Sequence, residues 1–167
     1  GRTILYINQI LDKKFFSGEI NEHGIETQKK LIKKFNLKNL ECFYFDYYNF
    51  TKLKFPSKLK NPVVITSNSV EQIEFMPKSF YIDLKKYLGV SELQVCHLEP
   101  IGFQFEPFDK LDPQHHEYNK NNKYNLNINS LIKNLKYKLL EVDKNIVTCE
   151  SDNKTIFSPM SLITIKY

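Results

Sequence analysis

The sequence predicts a mixed β and α+β fold, a small barrel followed by a smaller α+β subdomain. Short runs with period-two alternation recur between turn residues, which points to many short strands. The stretch LEPIGFQFEPFD, Leu98 to Asp109, sets three phenylalanines among two prolines and a glycine, too apolar for a loop and too punctuated for a helix. A strand, a tight turn and a second strand over an aromatic core satisfy it. The polar tract from Lys110 to Asn127 then interrupts the apolar pattern. It divides the chain into a barrel over 1–112, a linker or surface loop over 113–127 and an α+β subdomain over 128–167.

In chain order, RTILYINQIL opens as a strand-like apolar run. HGIETQKKLIKKFNL follows with Ile25, Leu31, Ile32 and Phe35 on one helical stripe and Lys29, Lys30, Lys33 and Lys34 mostly away from it, a surface helix with a solvated basic face. The aromatic ECFYFDYYNF and the β-branched NPVVITSN read as two strands paired with each other. The pattern then changes period: Pro77 in a first turn, Phe80, Leu84 and Leu88 on one face and Gly89 at the end bound a helix. ELQVCHLEP alternates Leu93 and Val95 against Gln94 and Cys96, and the chain breaks at Pro100–Gly102. Phe103 and Phe105 then alternate against Gln104 and Glu106. Gly102 supplies a positive φ or a close approach, and the phenylalanines fill the core beneath.

Beyond the polar tract, Ile128, Leu131, Ile132 and Leu135 fall at helical spacing, with an asparagine to cap them. NIVTCESDNKTIF reads as two β segments around Ser151-Asp152-Asn153, and SLITIKY as a last strand that completes a meander.

Composition limits the functional classes. A chain of 167 residues buries one sizeable core, or one core with a satellite. Hydrophobic residues at 41% and charged residues at 26% describe a globular protein. Five glycines, none in a Gly-rich motif, speak against a phosphate-cradling loop. The net charge of +5 is spread among interleaved acids, so a nucleic-acid partner is not indicated. Cys42, Cys96 and Cys149 are distant and odd in number, which fits reduced thiols in a reducing compartment. No apolar run approaches the roughly 20 residues that span a bilayer, and the start lacks a signal-peptide pattern, so membrane insertion is not expected. A start at Gly-Arg-Thr without methionine suggests an excised fragment.

No group of residues assembles into a catalytic, cofactor or metal site. Cys96 and His97 are strand neighbours and point to opposite faces, so they do not form a nucleophile and base. Asp112, His115, His116 and Glu117 have metal-ligating chemistry without metal-ligating spacing. The pairs Glu71 and Glu74, and Asp109 and Asp112, read as capping or solvent-facing carboxylates. A binding module without catalysis is the expected class.

The order of these elements resembles the N-terminal domain of the ubiquitin fusion degradation protein family, adaptors of the AAA unfoldase called valosin-containing protein. The likeness runs from about Asn21 to Tyr167 and is strongest after Val63. Phe75-Met76-Pro77 leading into Phe80–Leu88 is similar to the family's bulky residue, Leu-Pro and short helix. Leu98–Phe103, then Phe105-Glu106-Pro107, is similar to its Leu-Pro-x-Gly-aromatic turn and proline-ended strand. Leu131–Leu135, Asp143 and the strands around Ile146 and Ile156 are similar to its next helix, a loop ending in aspartate, and a hairpin. Val142 stands where the family usually has glycine, and the Asn-Pro pair before the family's helix is here only an asparagine and lysine tract.

The resemblance implies a double-psi β-barrel followed by a smaller α+β subdomain. It implies binding of ubiquitin or polyubiquitin chains, through residues the sequence does not identify. The AAA unfoldase and a nuclear protein localisation co-adaptor would be reached mostly through segments outside this chain. It implies a cytoplasmic or nuclear place peripheral to the endoplasmic reticulum. The lysine, asparagine, isoleucine and phenylalanine bias suggests an AT-rich genome, and parasites with such genomes add the alternative of a plastid-associated compartment. Three other readings stand beside the adaptor: the N-domain of an AAA ATPase itself, a basic nucleic-acid module built on the Lys29–Lys34 face, and a metal or thiol hydrolase around Cys96, His115 and His116.

Overall fold

The structure, a computed structural model, describes residues 2–50, 59–101, 104, 120–134, 138–143, 147–151, 154–158 and 161–167. The fold is mixed α/β, with open sheets and no closed barrel among the described residues. The chain divides into two compact units, Gly1–Lys58 and Leu59–Tyr167. The division expected at 112/113 lies outside the described residues, as do Gly102, Phe103 and Phe105.

The first unit runs α1 (Arg2–Ile10), β1 (Phe15–Glu19), α2 (Glu22–Lys34), β2 (Leu40–Tyr44). The strand expected at the start is therefore a helix. A short apolar run does not reveal its own period, and here Leu11 N–H donates to Ile7 O at 3.0 Å to continue the helical ladder. Helix α2 starts at Asn21, whose Oδ1 accepts from the N–H groups of His23 at 2.9 Å and Gly24 at 3.4 Å. Ile25, Leu31 and Ile32 are half-buried as expected, but Phe35, the residue that ends the helix, is 55% exposed, with the Lys34 ammonium over its ring. Ile4 and Leu5 of α1 meet Leu31 and Ile32 of α2 and Leu40 of β2 around a small apolar cleft.

Strand β1 pairs with β2 in parallel, Phe15 opposite Leu40 through Glu19 opposite Tyr44. Gly18 is required for close packing there: an added Cβ would stand 2.7 Å from Phe45 Cβ and 3.1 Å from its Cγ. Phe45 in turn packs edge-on against Phe43, Tyr47 and Phe50. Gly18→Ala is expected to lower stability by about 1–3 kcal/mol through overpacking, read as a shift of the urea midpoint without a change of slope.

The second unit runs β3 (Val63–Ser67), a helical turn over Val70–Gln72, α3 (Phe80–Leu88), β4 (Gln94–Glu99), α4 (Ile128–Asn134), β5 (Lys138–Asp143), β6 (Val147–Ser151), β7 (Lys154–Ser158) and β8 (Ser161–Lys166). The strands order as β3-β4-β8-β5, with β6 and β7 forming a separate antiparallel pair. The pairing expected between ECFYF and PVVITS is not formed. Strand β2 pairs with β1 and β3 pairs with β4, both in parallel, each pair joined by a helix, the connection that parallel strands need. The expected meander is corrected too, since β8 leaves β7 and inserts between β4 and β5, antiparallel to both. Asp143 ends a strand, not a loop: Lys138–Asp143 pairs along β8 with an irregularity between Leu139 and Glu141.

Helix α3 begins after Ser79, so Pro77 lies before the helix and accepts from Phe80 N–H at 3.0 Å. Its end is as expected: Gly89 is left-handed at φ 64°, and its N–H bonds back to Lys86 O. Phe80, Tyr81, Leu84 and Leu88 are buried with Leu93 and Val95 of the β4 segment and Ile163 and Ile165 of β8. Leu93 and Tyr167 exchange two backbone hydrogen bonds of 2.8 Å, which ties the chain end to the start of β4.

Candidate functional site

The inward period of the β4 segment runs Leu93, Val95, His97, Glu99, so two aliphatic side chains are followed by two polar ones on the same buried face. His97 is fully buried. Its Nδ1 lies 2.7 Å from Thr66 Oγ1, the neighbouring residue on β3, and its Nε2 lies 2.8 Å from Tyr81 Oη on α3. A neutral imidazole has one donor and one acceptor nitrogen, so one hydroxyl donates to it and the other accepts from it. Burial lowers the His97 pKa to about 4, so the ring is neutral at neutral pH. With no exposed surface it meets no solute, and its effect is to bolt β3, β4 and α3 together.

Glu99 is equally buried. One carboxylate oxygen accepts from Ser69 N–H at 2.9 Å and Glu71 N–H at 3.4 Å, the other from Val70 N–H at 3.2 Å and Ser69 Oγ at 3.3 Å. The carboxylate thus satisfies the open amides at the start of the Val70–Gln72 turn, where its negative charge is also favoured. Glu71 feels it: burial first, and then the charge of Glu99, raise the Glu71 carboxyl above its ordinary range.

A second network holds the next segment. Asn125 is 1% exposed although the polar tract was expected to be surface loop or linker. Its Oδ1 accepts from Asn127 N–H at 3.1 Å and Ile128 N–H at 2.9 Å, capping α4, and its Nδ2 donates to Ile73 O at 2.8 Å. Asn127 makes a two-way clasp with Met76: Met76 N–H donates to its Oδ1 and its Nδ2 donates to Met76 O, both at 2.9 Å. Gln104 was expected opposite the phenylalanines of a strand; its N–H instead turns back to Ile101 O at 3.0 Å. Its buried amide donates to Asn125 O at 2.8 Å, and its Oε1 and backbone O accept from Asn129.

The residues singled out in the sequence disperse. Cys96 is half-buried on the face opposite His97, as strand alternation requires, and burial pushes its thiol up, away from the reactive thiolate. Glu71 and Glu74 lie within the clasped 71–76 segment, their backbone carbonyls accepting from the N–H groups of Asn125 and Leu126. Lys29, Lys30, Lys33 and Lys34 are all exposed on α2. Asp109, Asp112, His115, His116 and Glu117 lie outside the described residues. Among the described residues no cluster of three histidine, cysteine or acidic side chains is placed to hold an ion, and no helix is long and apolar enough to cross a membrane.

The sequence reading expected an asparagine to cap α4, which Asn125 does, but missed Glu99 and the contacts of the asparagines with Ile73, Met76 and Gln104. Extending the Leu93, Val95 alternation by two more steps finds His97 and Glu99; the asparagine spacing at 125, 127 and 129 is the one local sign of the clasp. Compared with models of known protein families and with curated proteins, the chain matches none.

Proposed function

We propose that the chain is a recognition domain without catalysis, of the ubiquitin fusion degradation type. It presents proteins tagged with ubiquitin, or a related modifier, to an AAA unfoldase, alongside a nuclear protein localisation co-adaptor. Its barrel is of the double-psi kind. The workplace is the cytoplasm or nucleus near the endoplasmic reticulum, or a plastid-associated compartment.

The observation that carries this reading is the Met76–Asn127 clasp. Three sequence motifs carry the family resemblance: Phe75-Met76-Pro77 with its helix, the turn after Leu98, and the Leu131–Leu135 helix with Asp143 and the strands that follow; the asparagine tract just before that last helix lacks the family's Asn-Pro pair. They are far apart in the chain, yet Met76 is held by Asn127, and Gln104, just past the turn, is held by Asn125 and Asn129. Segments that carry or adjoin the motifs of one fold are expected to meet in this way.

The surface fits shallow contact. Phe75 and Ile82 are 54% and 49% exposed, and small apolar areas of this sort suit transient partners. Fluorescence anisotropy of the labelled chain against single ubiquitin and against a ubiquitin chain tests the function. Weak saturable binding to one ubiquitin, tightened in the chain by multivalency, is the expected result. Equal indifference to both would remove the function.

A further inference from the structure

The chain's excess of +5 belongs wholly to its first unit, Gly1–Lys58; beyond it, basic and acidic residues are equal in number. Within that unit the positive charge is concentrated. Between Glu26 and Glu41 stand Lys29, Lys30, Lys33, Lys34 and Lys38 and no acid, all five exposed and none in an ion pair among the described residues. Cations in the last turn of α2 offset the helix dipole, which accounts for Lys33 and Lys34 and leaves the other three unexplained. The end of α1 comes to the same place: Asn39, next to Lys38, donates from Nδ2 to Asp12 Oδ1 at 3.1 Å and accepts at its backbone O from Phe15 N–H at 2.7 Å. Exposed Lys13 is brought up with it, while Lys14 is paired with Glu41 at 2.9 Å. Three large apolar side chains also stand exposed at this end of the unit, Ile10 at 78%, Leu11 at 50% and Phe35 at 55%.

We propose that this end of the first unit rests on a bilayer surface that contains anionic lipid, its lysines against the headgroups and Ile10, Leu11 and Phe35 entering the headgroup boundary. Lysine alone would suit the phosphates of a nucleic acid equally well. The apolar side chains decide between the two. Aliphatic tips such as Ile10 and Leu11 gain nothing against a phosphate backbone, whereas the boundary between headgroups and acyl chains takes them out of water. Charge attraction and apolar entry then act together, and neither requires a helix that crosses the membrane. This inference does not rest on ubiquitin recognition.

The test is co-sedimentation of the whole chain with vesicles of phosphatidylcholine mixed with phosphatidylserine, and with vesicles of phosphatidylcholine alone. The chain should bind the mixed vesicles, more weakly as salt is raised, and should leave the neutral ones in suspension unbound. Lys33→Gln combined with Lys34→Gln should weaken the binding about twentyfold, and Ile10→Ser about tenfold, both at the wild-type melting temperature. Absence of binding to the mixed vesicles would overturn the proposal, as would equal binding to both kinds or binding unchanged in the two variants. Vesicle binding that an oligonucleotide competes away and that Ile10→Ser leaves intact would assign the lysines to nucleic acid and overturn it as well.

Discussion

Acidification is expected to destabilise the second unit, because His97 must stay neutral to remain buried. Its pKa is about 4 in the folded chain against an ordinary 6.5, so the unfolded state binds a proton more readily. The sign follows: the stabilisation is complete above pH 6.5 and is lost as the pH falls through the folded value of about 4. The difference corresponds to about 3 kcal/mol, a large share of a typical domain's stability. Urea midpoints measured down this range should fall steadily in the wild type. In His97→Gln, which carries no titrating group, the part of the slope due to this residue should vanish, while stability at neutral pH drops by about 2 kcal/mol because Thr66 and Tyr81 lose a well-placed partner. Equal slopes in the two proteins would show that His97 is not the acid-sensitive group.

The second large effect is expected at Asn125. Asn125→Ala removes the acceptor for two N–H groups at the start of α4, the donor to Ile73 O and a partner of Gln104, all inside the fold. Each buried group left unpaired costs about 1–3 kcal/mol, so a total loss of about 3–5 kcal/mol is expected even with some relaxation. Asn125→Asp separates the contributions. It keeps the acceptor for the cap but loses the donor to Ile73 O and puts a carboxylate against that carbonyl. Its deficit should therefore shrink as the pH is lowered and the acid becomes a donor. If Asn125→Ala unfolds at the wild-type midpoint, the 125–129 segment does not clasp the 71–76 segment in solution.

These two residues also mark where reading the sequence succeeds and where it stops. Helix α3 was foreseeable because its signals are local: an apolar stripe ending in a residue free to take positive φ at Gly89. The β6–β7 hairpin and β8 were foreseeable for the same reason. Which strands pair was not, because pairing is decided by packing between distant segments, and the helices that join β1 to β2 and β3 to β4 make parallel neighbours where hairpin logic expects antiparallel ones. The N-terminal helix was misread because Ile4-Leu5-Tyr6-Ile7 is a short continuous apolar run, which reveals neither period.

The buried polar groups were the hardest to see. Histidine, glutamate and asparagine are mostly exposed residues, and their burial here depends on partners contributed by other elements: Thr66 and Tyr81 for His97, the Ser69–Glu71 amides for Glu99, Met76 and Gln104 for the asparagines. Composition gives no hint of such matches. The same limit applies to exposed apolar residues, since Phe75, Ile82, Val63 and Ile65 look in the sequence like any other core residue, and only their exposure sets them apart.

The most direct test of the adaptor account is chemical-shift mapping of the labelled chain as ubiquitin is added. The account predicts shifts that grow with concentration and stay on one exposed face, leaving the amides of His97, Glu99 and Asn125 unmoved. No shifts at the highest attainable ubiquitin concentration, or shifts spread through that buried network, would contradict it.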